Sequence, residues 1–533
     1  MSLNRLDLLP VELIHNIFTY LSAHEIFYAF FNLSDYLDAT LVSYDRYILN
    51  FHSVLKSHFD VTCDYIQPDR VISLTLSDGD DDGALGQSEL FFSRFNIEQF
   101  IHLRSFDMSS MNNDTCKKLS QLYKLKYLSS LELPRLFQPY CKDFDIAVGK
   151  ILPQLNQLMV YNTYYLLDNS FSNLHHLILK HCNCYQLSTI FKLMPNLYSL
   201  DIILTLNIHS NWANNIPVLT HLKKLVLSSY GERVTMIQIK EFLSKIPNLR
   251  HFELDIEGYM DLIDGQQWEL IVANLMIFDF RIHLLDSLRI YSSENILQSF
   301  RSLFWLEHKR WFVAYDGSHM RHVFTVPRFV PNIVKYPNID WPPSCTLSDF
   351  CFDQYVKYLH MSLFNPVSHC FTNITTLVID TDEILTDIGL IAFINLVQHM
   401  QFLHSISFRD LSVLNYVPDN VVFEKIHSLY VRDINARANN HVKLDINQLY
   451  TVFPRLERLN MELTSRDDLI LLIDRLRYLS IAKFELNHLS SQSSEVTHDW
   501  LIKNSQRLKA NNNFTFKVIN NKIHLWMNTE KVC

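Results

Sequence analysis

The sequence predicts an α/β fold, with a small helical unit at the N-terminus followed by an irregular solenoid of parallel strands and returning helices. Three observations predict it. A phrase of the form Leu-x-x-Leu-x-Leu recurs along the chain at intervals of 19–30 residues. Leucine occupies 79 of the 533 positions and glycine only 9, which favours stacked apolar units over glycine-rich loops. Residues 11–33, in contrast, place their apolar side chains at helical spacing.

The helical unit comes first. Pro10 suits a first helical turn, where its missing N–H costs nothing. Leu13, Ile14, Ile17, Phe18 and Leu21 then form one wide apolar stripe. Ser22 and Glu25 make a capping box that opens a second helix carrying Ile26, Phe27, Ala29, Phe30 and Leu33. A unit of about 40 residues cannot bury that much apolar surface within itself, so part of it is expected to be covered by another protein.

The run Leu9-Pro10-x-Glu12-Leu13-Ile14-x-x-Ile17-Phe18-x-Tyr20-Leu21, followed by Glu25-Ile26 and Ala29-Phe30, resembles the F-box motif. In that family the segment docks onto the small adaptor subunit of SCF-type cullin–RING ubiquitin ligases. The resemblance implies that Leu9, Pro10, Leu13, Ile17, Leu21 and Ile26 face the adaptor, with Glu12 at the motif's acidic position. There is one departure. After Leu33-Ser34 the family usually shows a basic residue and a tryptophan, whereas this chain has Asp35-Tyr36-Leu37, which implies a third helix that packs differently.

Residues 1–60 therefore read as the helical unit with a linker helix, and residues 61–285 as a first block of repeats. Val71–Leu76 is expected to give the first strand. Clear copies of the phrase centre on Leu131, Leu158, Leu177, Leu200, Leu225 and Phe252, with a weaker copy at Phe106. Such a period belongs to leucine-rich repeats, in which each unit gives one short strand and a returning helix. The phrase returns around Leu377, Ile406, Leu429 and Leu459, within a second block over 367–533. Because alternate strand residues face opposite ways, the residue between the last two apolar positions lies on the concave side. Glu132, Met159, Asp201, Glu253, Tyr430 and Asn460 are the candidates for substrate contact on that ground.

Residues 286–366 break the period. Trp311–Tyr315 and Val323–Val326 flank Asp316-Gly317 in the pattern of a β-hairpin, and five of the sixteen prolines follow between 327 and 343. This segment is expected to be an irregular insertion. Lys309, Arg321, Arg328 and Lys335 make it locally basic, which reads as a solvated face. At the C-terminus, alternating residues on either side of Asn520-Asn521 predict a hairpin that caps the open end of the solenoid.

Several chemistries are disfavoured. The glycines match neither G-x-G-x-x-G nor a P-loop, and no G-x-S-x-G elbow occurs. A net charge of −9 gives no electrostatic case for nucleic acid. No apolar stretch is long enough for a membrane span. Asp78–Glu89 satisfies the EF-hand pattern but follows a strand-like segment, so an acidic loop is expected there. His175, His176, His181, Cys182 and Cys184 match no zinc frame, and Cys182 reads as a packed thiol. Nine irregularly spaced cysteines suit a reducing compartment, cytoplasmic or nuclear.

The expected function follows from the resemblance. It implies a non-catalytic substrate receptor of a cullin–RING ligase, whose partners are the SCF adaptor, a cullin through it, and a protein substrate. No cofactor or metal is expected. The alternative is a leucine-rich-repeat scaffold acting outside ubiquitination, with the N-terminal helices packed flush over the first repeat as a cap. A calcium- or zinc-dependent enzyme is a third class with little support.

Overall fold

The structure, a computed structural model, describes residues 5–78, 85–108, 113–133, 142–166, 171, 173–205, 216–284, 292–317, 321–336, 341–361, 371–379, 387–409, 414, 417–418, 420–431, 446–463, 465–486, 496–511 and 513–529. Three helices open the chain: α1 (Val11–Phe18), α2 (Ala23–Phe30) and α3 (Asp35–Ser43). Ile14 and Phe18 of α1 point inward, and the Phe18 ring meets Phe30 and Tyr44 edge-on at 5.1 and 5.3 Å. The Ser22–Glu25 box forms, with the Ser22 N–H donating to Glu25 Oε2 at 2.8 Å. Ser34 caps α3 by accepting from the Leu37 N–H, and its hydroxyl donates to Asp7. At the departure from the motif, Leu37 fills the core while the Tyr36 hydroxyl donates to the Leu9 carbonyl at 2.7 Å. Tyr36 thus holds the Leu9-Pro10 turn against α3.

The solenoid begins with β1 (Tyr47–Asn50), α4 (Lys56–Tyr65) and β2 (Val71–Leu76). The first strand is therefore one unit earlier than the sequence led us to expect. Four residues are too few to display a strand alternation. Strands β3 (Ser105–Met108), β4 (Ser130–Glu132), β5 (Gln157–Val160), β6 (His176–Asn183), β7 (Ser199–Thr205), β8 (Lys224–Val234), β9 (His251–Gly258) and β10 (Ile277–Leu284) continue in parallel and in sequence order. Unit β10 carries the phrase as Leu275-x-x-Phe278-Asp-Phe280, in which phenylalanine replaces leucine. The antiparallel hairpin β11 (Phe312–Asp316) and β12 (His322–Val326) then joins β10 through β12.

A second sheet starts at β13 (Ile333–Tyr336), although β14 (Ser344–Cys345) returns to pair with β11. It runs in parallel through β15 (Tyr358–Met361), β16 (Thr376–Ile379), β17 (Ser405–Phe408), β18 (Ser428–Val431), β19 (Arg458–Leu463) and β20 (Ile481–Leu486). The antiparallel hairpin β21 (Phe514–Ile519) and β22 (Lys522–Met527) finishes it. Asn520 and Asn521 take φ of 48° and 63°, the left-handed turn that a chain poor in glycine builds from asparagine.

Two hydrophobic cores lie behind the sheets and meet at two places. At each place a strand is buried on both faces. In the β11–β12 hairpin, Val313, Tyr315 and Val323 pack into the first core, while Ala314 and Phe324 pack into the second. In β22, Trp526 packs into the first core, and Leu525 and Met527 into the second. Trp526 lies 5.0 Å from the Phe59 ring of α4, so the end of the solenoid closes against its beginning.

Polar contacts seal this closure. The Lys56 side chain is fully buried, and its ammonium donates to both Asp60 oxygens at 2.7 Å and to Asn513 at 3.0 Å. Asn513 returns a bond to Asp60 at 2.8 Å, and Arg94 completes the carboxylate's shell at 2.9 Å. Burial pushes the Lys56 ammonium down, against the pull of Asp60. Arg458 donates to the Ser53 carbonyl at 2.6 Å, and Lys517 pairs with Glu89 at 2.9 Å.

Removing either half of this joint carries a large cost. Trp526→Ala leaves a cavity worth about 3–5 kcal/mol. Lys56→Ala takes the buried ammonium from Asp60, which keeps only Arg94 and Asn513, at a similar cost of about 3–5 kcal/mol. The Lys56 ammonium sits 5.4 Å above the Trp526 ring, so the double substitution should fall short of the summed losses. Equilibrium unfolding in urea measures all three, and strict additivity would contradict a shared joint.

Candidate functional site

Two surfaces carry the residues that the sequence singles out. The first is the outer face of α1. Leu13 is 49% exposed, Ile17 38% and Tyr20 88%, at helical positions i, i+4 and i+7. Leu13 and Ile17 form one apolar stripe on α1 beside the buried Ile14 and Phe18, and Tyr20 continues it in the turn just past the helix. Leu8 is 71% exposed, and Pro10 and Glu12 are exposed as well. Leu9 and Leu21 are half-buried with their inner sides against the core.

Ile26 does not join this surface. It is completely buried beneath α2, so it holds the helices together and presents nothing to a partner. Helical spacing alone could not separate it from Ile17, because both faces of the pair are apolar. Tyr20, the most exposed ring of the face, lay inside the motif but was not among the expected contacts. Its place seven residues after Leu13 was the available signal.

The second surface is the concave face of the sheets. Register places Glu132, Met159, Asp201 and Glu253 in one row across β4 to β9, with Ile178 and Val226 on the strands between. Asp107 extends the row at one end and Asp279 at the other. Asp107 was legible as the middle residue of the weaker phrase at Phe106. Tyr430 and Asn460 sit side by side on β18 and β19 of the second sheet, away from that row.

Burial raises Asp107, Asp201 and Asp279 above the usual carboxylate range. Burial, reinforced by the Asp107 carboxylate, pushes Glu132 up to about 7. Glu253 is not free. Arg328, just past the hairpin, grips it with two bonds at 2.9 and 3.1 Å. Lys309 donates to the Ala273 and Leu275 carbonyls and so is tied back onto the repeats, while Arg310, Arg328 and Lys335 of the basic segment are exposed, as its composition suggested.

A neighbouring row holds a closed polar cluster. Asp255 accepts from Tyr230 at 2.8 Å, from Arg281 and from His283 at 2.9 Å, and His283 meets His322 at 3.1 Å. Burial works to raise Asp255, yet the bonds from His283, Arg281 and Tyr230 hold it well below the carboxylate range. Burial, aided by His283 and Arg281, pushes His322 down to about 4. Each group here is satisfied by another, which fits a fastening of β8, β9, β10 and β12 better than a catalytic site.

Residues 79–84 of the EF-hand match lie outside the described residues. At its ends, Asp78 accepts from the Ser88 N–H and hydroxyl, and Glu89 pairs with Lys517. Cys182 is buried, with its thiol donating to the Asn183 carbonyl. Among the described residues no three His, Cys, Asp or Glu side chains are grouped so as to hold a metal ion, and no helix is long and apolar enough to cross a membrane.

No family profile matches the chain, and no curated protein matches it in sequence. Among solved structures, the crystal structure of the Rad7 and Elc1 complex in yeast is similar over 75% of this chain and 83% of that chain, at 11% identity and a TM-score of 0.26.

The concave row titrates in a defined direction. Between the ordinary 4.5 of Glu132 and about 7, the folded chain keeps a proton that the unfolded chain has lost, so this group's contribution to stability falls as pH rises through that window. Glu132→Gln removes the loss. Relative to wild type, the variant should gain stability between about pH 5 and about pH 8, read by urea unfolding at each pH. An unchanged difference would show that Glu132 titrates as an ordinary surface carboxylate.

Proposed function

We propose that this chain is a substrate-recognition subunit of an SCF-type cullin–RING ubiquitin ligase. The observation that carries the reading is the exposure of Leu13 and Ile17 on α1 and of Tyr20 in the turn just past it, beside the buried Ile14 and Phe18. A helix serving only to cap the first repeat would have its apolar stripe covered. The stripe also falls within the segment that resembles the F-box motif, and Leu9 and Pro10 lead into it, held by Tyr36.

On this reading Leu9, Pro10, Glu12, Leu13, Ile17 and Leu21 meet the adaptor, and the adaptor links the chain to a cullin. A protein substrate binds the repeats, with Glu132, Met159, Asp201, Tyr430 and Asn460 as contact candidates. Glu253 takes part only where a substrate displaces Arg328. The chain itself performs no chemistry. It raises the rate of ubiquitin transfer by holding the substrate beside the charged enzyme.

Leu13→Arg combined with Ile17→Arg tests the reading. Burying two such side chains contributes about 3 kcal/mol or more, so purified adaptor should bind the variant at least about a hundredfold more weakly. Both positions are exposed, and folding stability should change by no more than about 0.5 kcal/mol per site. Calorimetric titration reads the first and urea unfolding the second. A wild-type chain that binds no adaptor, or a variant that binds it equally well, would leave the scaffold reading in place.

A further inference from the structure

Where the helical unit meets the first strands, a cavity of about 150 Å³ opens between α2, α3, β1 and the end of α4. Four rings wall it. Phe27 lies nearly parallel to Tyr47 at 5.4 Å, and Phe31 packs on Tyr65 at 4.2 Å. The Tyr47 hydroxyl donates to the Leu41 carbonyl and has no further donor to offer. Val42, largely exposed, stands at the mouth.

Arg70 also lines the cavity. Its backbone N–H donates to the Gln67 carbonyl, but among the described residues its guanidinium makes no hydrogen bond or ion pair. Such a group beside an apolar hollow is a receptor for an anion, since five fixed donors match a carboxylate in two-pronged fashion. The other charged residue of the lining, Asp38, already accepts the Asn32 N–H at 2.9 Å. A cation in the cavity would have to face Arg70. An apolar hollow of this size holds about one benzene ring.

We propose that this cavity binds a carboxylate carried on a single aromatic ring, with the ring between the Phe27, Phe31, Tyr47 and Tyr65 walls and the carboxylate on Arg70. A free arylalkanoic acid and a peptide ending in an aromatic residue present the same chemistry. The site does not depend on the ligase reading, because neither adaptor nor substrate contributes to it. Its walls come from both the helical unit and the first repeat, so an occupant ties the α1 docking face to the solenoid.

Calorimetric titration of the full chain tests the proposal, with no adaptor present. The probes are 3-phenylpropionate, its neutral amide, and the peptide Gly-Gly-Ser-Gly-Phe with a free carboxylate. Saturable one-to-one binding of either acid is expected, with the amide weaker by about tenfold or more. Tighter binding of the peptide assigns the site to a chain terminus, and tighter binding of phenylpropionate assigns it to a free acid. Arg70→Gln should weaken the acid by a similar factor. Val42→Trp should abolish binding by filling the mouth, whereas Val61→Trp, outside the lining, should not. Unfolding midpoints of the variants confirm that each is folded. No saturable heat with either acid, equal binding of acid and amide, or an Arg70→Gln variant indistinguishable from wild type overturns the proposal. So does tighter binding of phenyltrimethylammonium that is lost in Asp38→Asn.

Discussion

The rest of the structure depends on the joint between α4 and the C-terminal hairpin. A repeat solenoid leaves an apolar face open at each end, and ordinarily each end needs its own cap. Here the two ends cover one another. Trp526 supplies the apolar contact against Phe59, and the Lys56 ammonium, Asp60, Asn513 and Arg94 supply a polar seal. Taking a lysine fully out of water is expensive, and only a partner carboxylate with further hydrogen bonds offsets the cost. Lys56 has all of these, which makes the joint specific as well as stable. An aliphatic residue could fill the space but would leave Asp60 with fewer partners.

Closure has consequences for both surfaces. It fixes α4, on whose side the helical unit rests, with the Phe31 and Tyr65 rings in contact. The outer face of α1 is thereby presented by a supported unit, with its inner face spent on Phe30 and Tyr44. On the concave side, the hairpin at the other junction sends Arg328 back to Glu253, and the Asp255 cluster binds four strands together. Among the described residues, Asp107, Glu132 and Asp201 are the carboxylates of that row left without such partners.

Much of the fold was legible in the sequence because each repeat writes its own strand. Leu131, Leu158, Leu177, Leu200 and Leu225 all lie at the buried positions where the phrase places them. Unit β10 was missed because Phe278 and Phe280 stand where leucine was sought, and β1 because it is short. The closure could not be read at all. Lys56 and Asn513 are far apart in the chain, and neither carries a local pattern that names the other. The same holds for Arg328 and Glu253, whose pairing crosses from just past the hairpin to β9. In α1 and α2 the stripe was evident, but which apolar residues faced inward was settled only by packing. That is why Ile26 and Ile17 looked equivalent.

The function proposed for this chain turns on whether the outer face of α1 docks onto a cullin–RING adaptor. Hydrogen–deuterium exchange of the full chain, with and without saturating adaptor, tests it most directly. Docking on α1 should slow exchange only at residues 8–21 and the adjoining start of α3, with β21, β22 and the concave strands unchanged. Protection on the concave strands, or none anywhere, would contradict it.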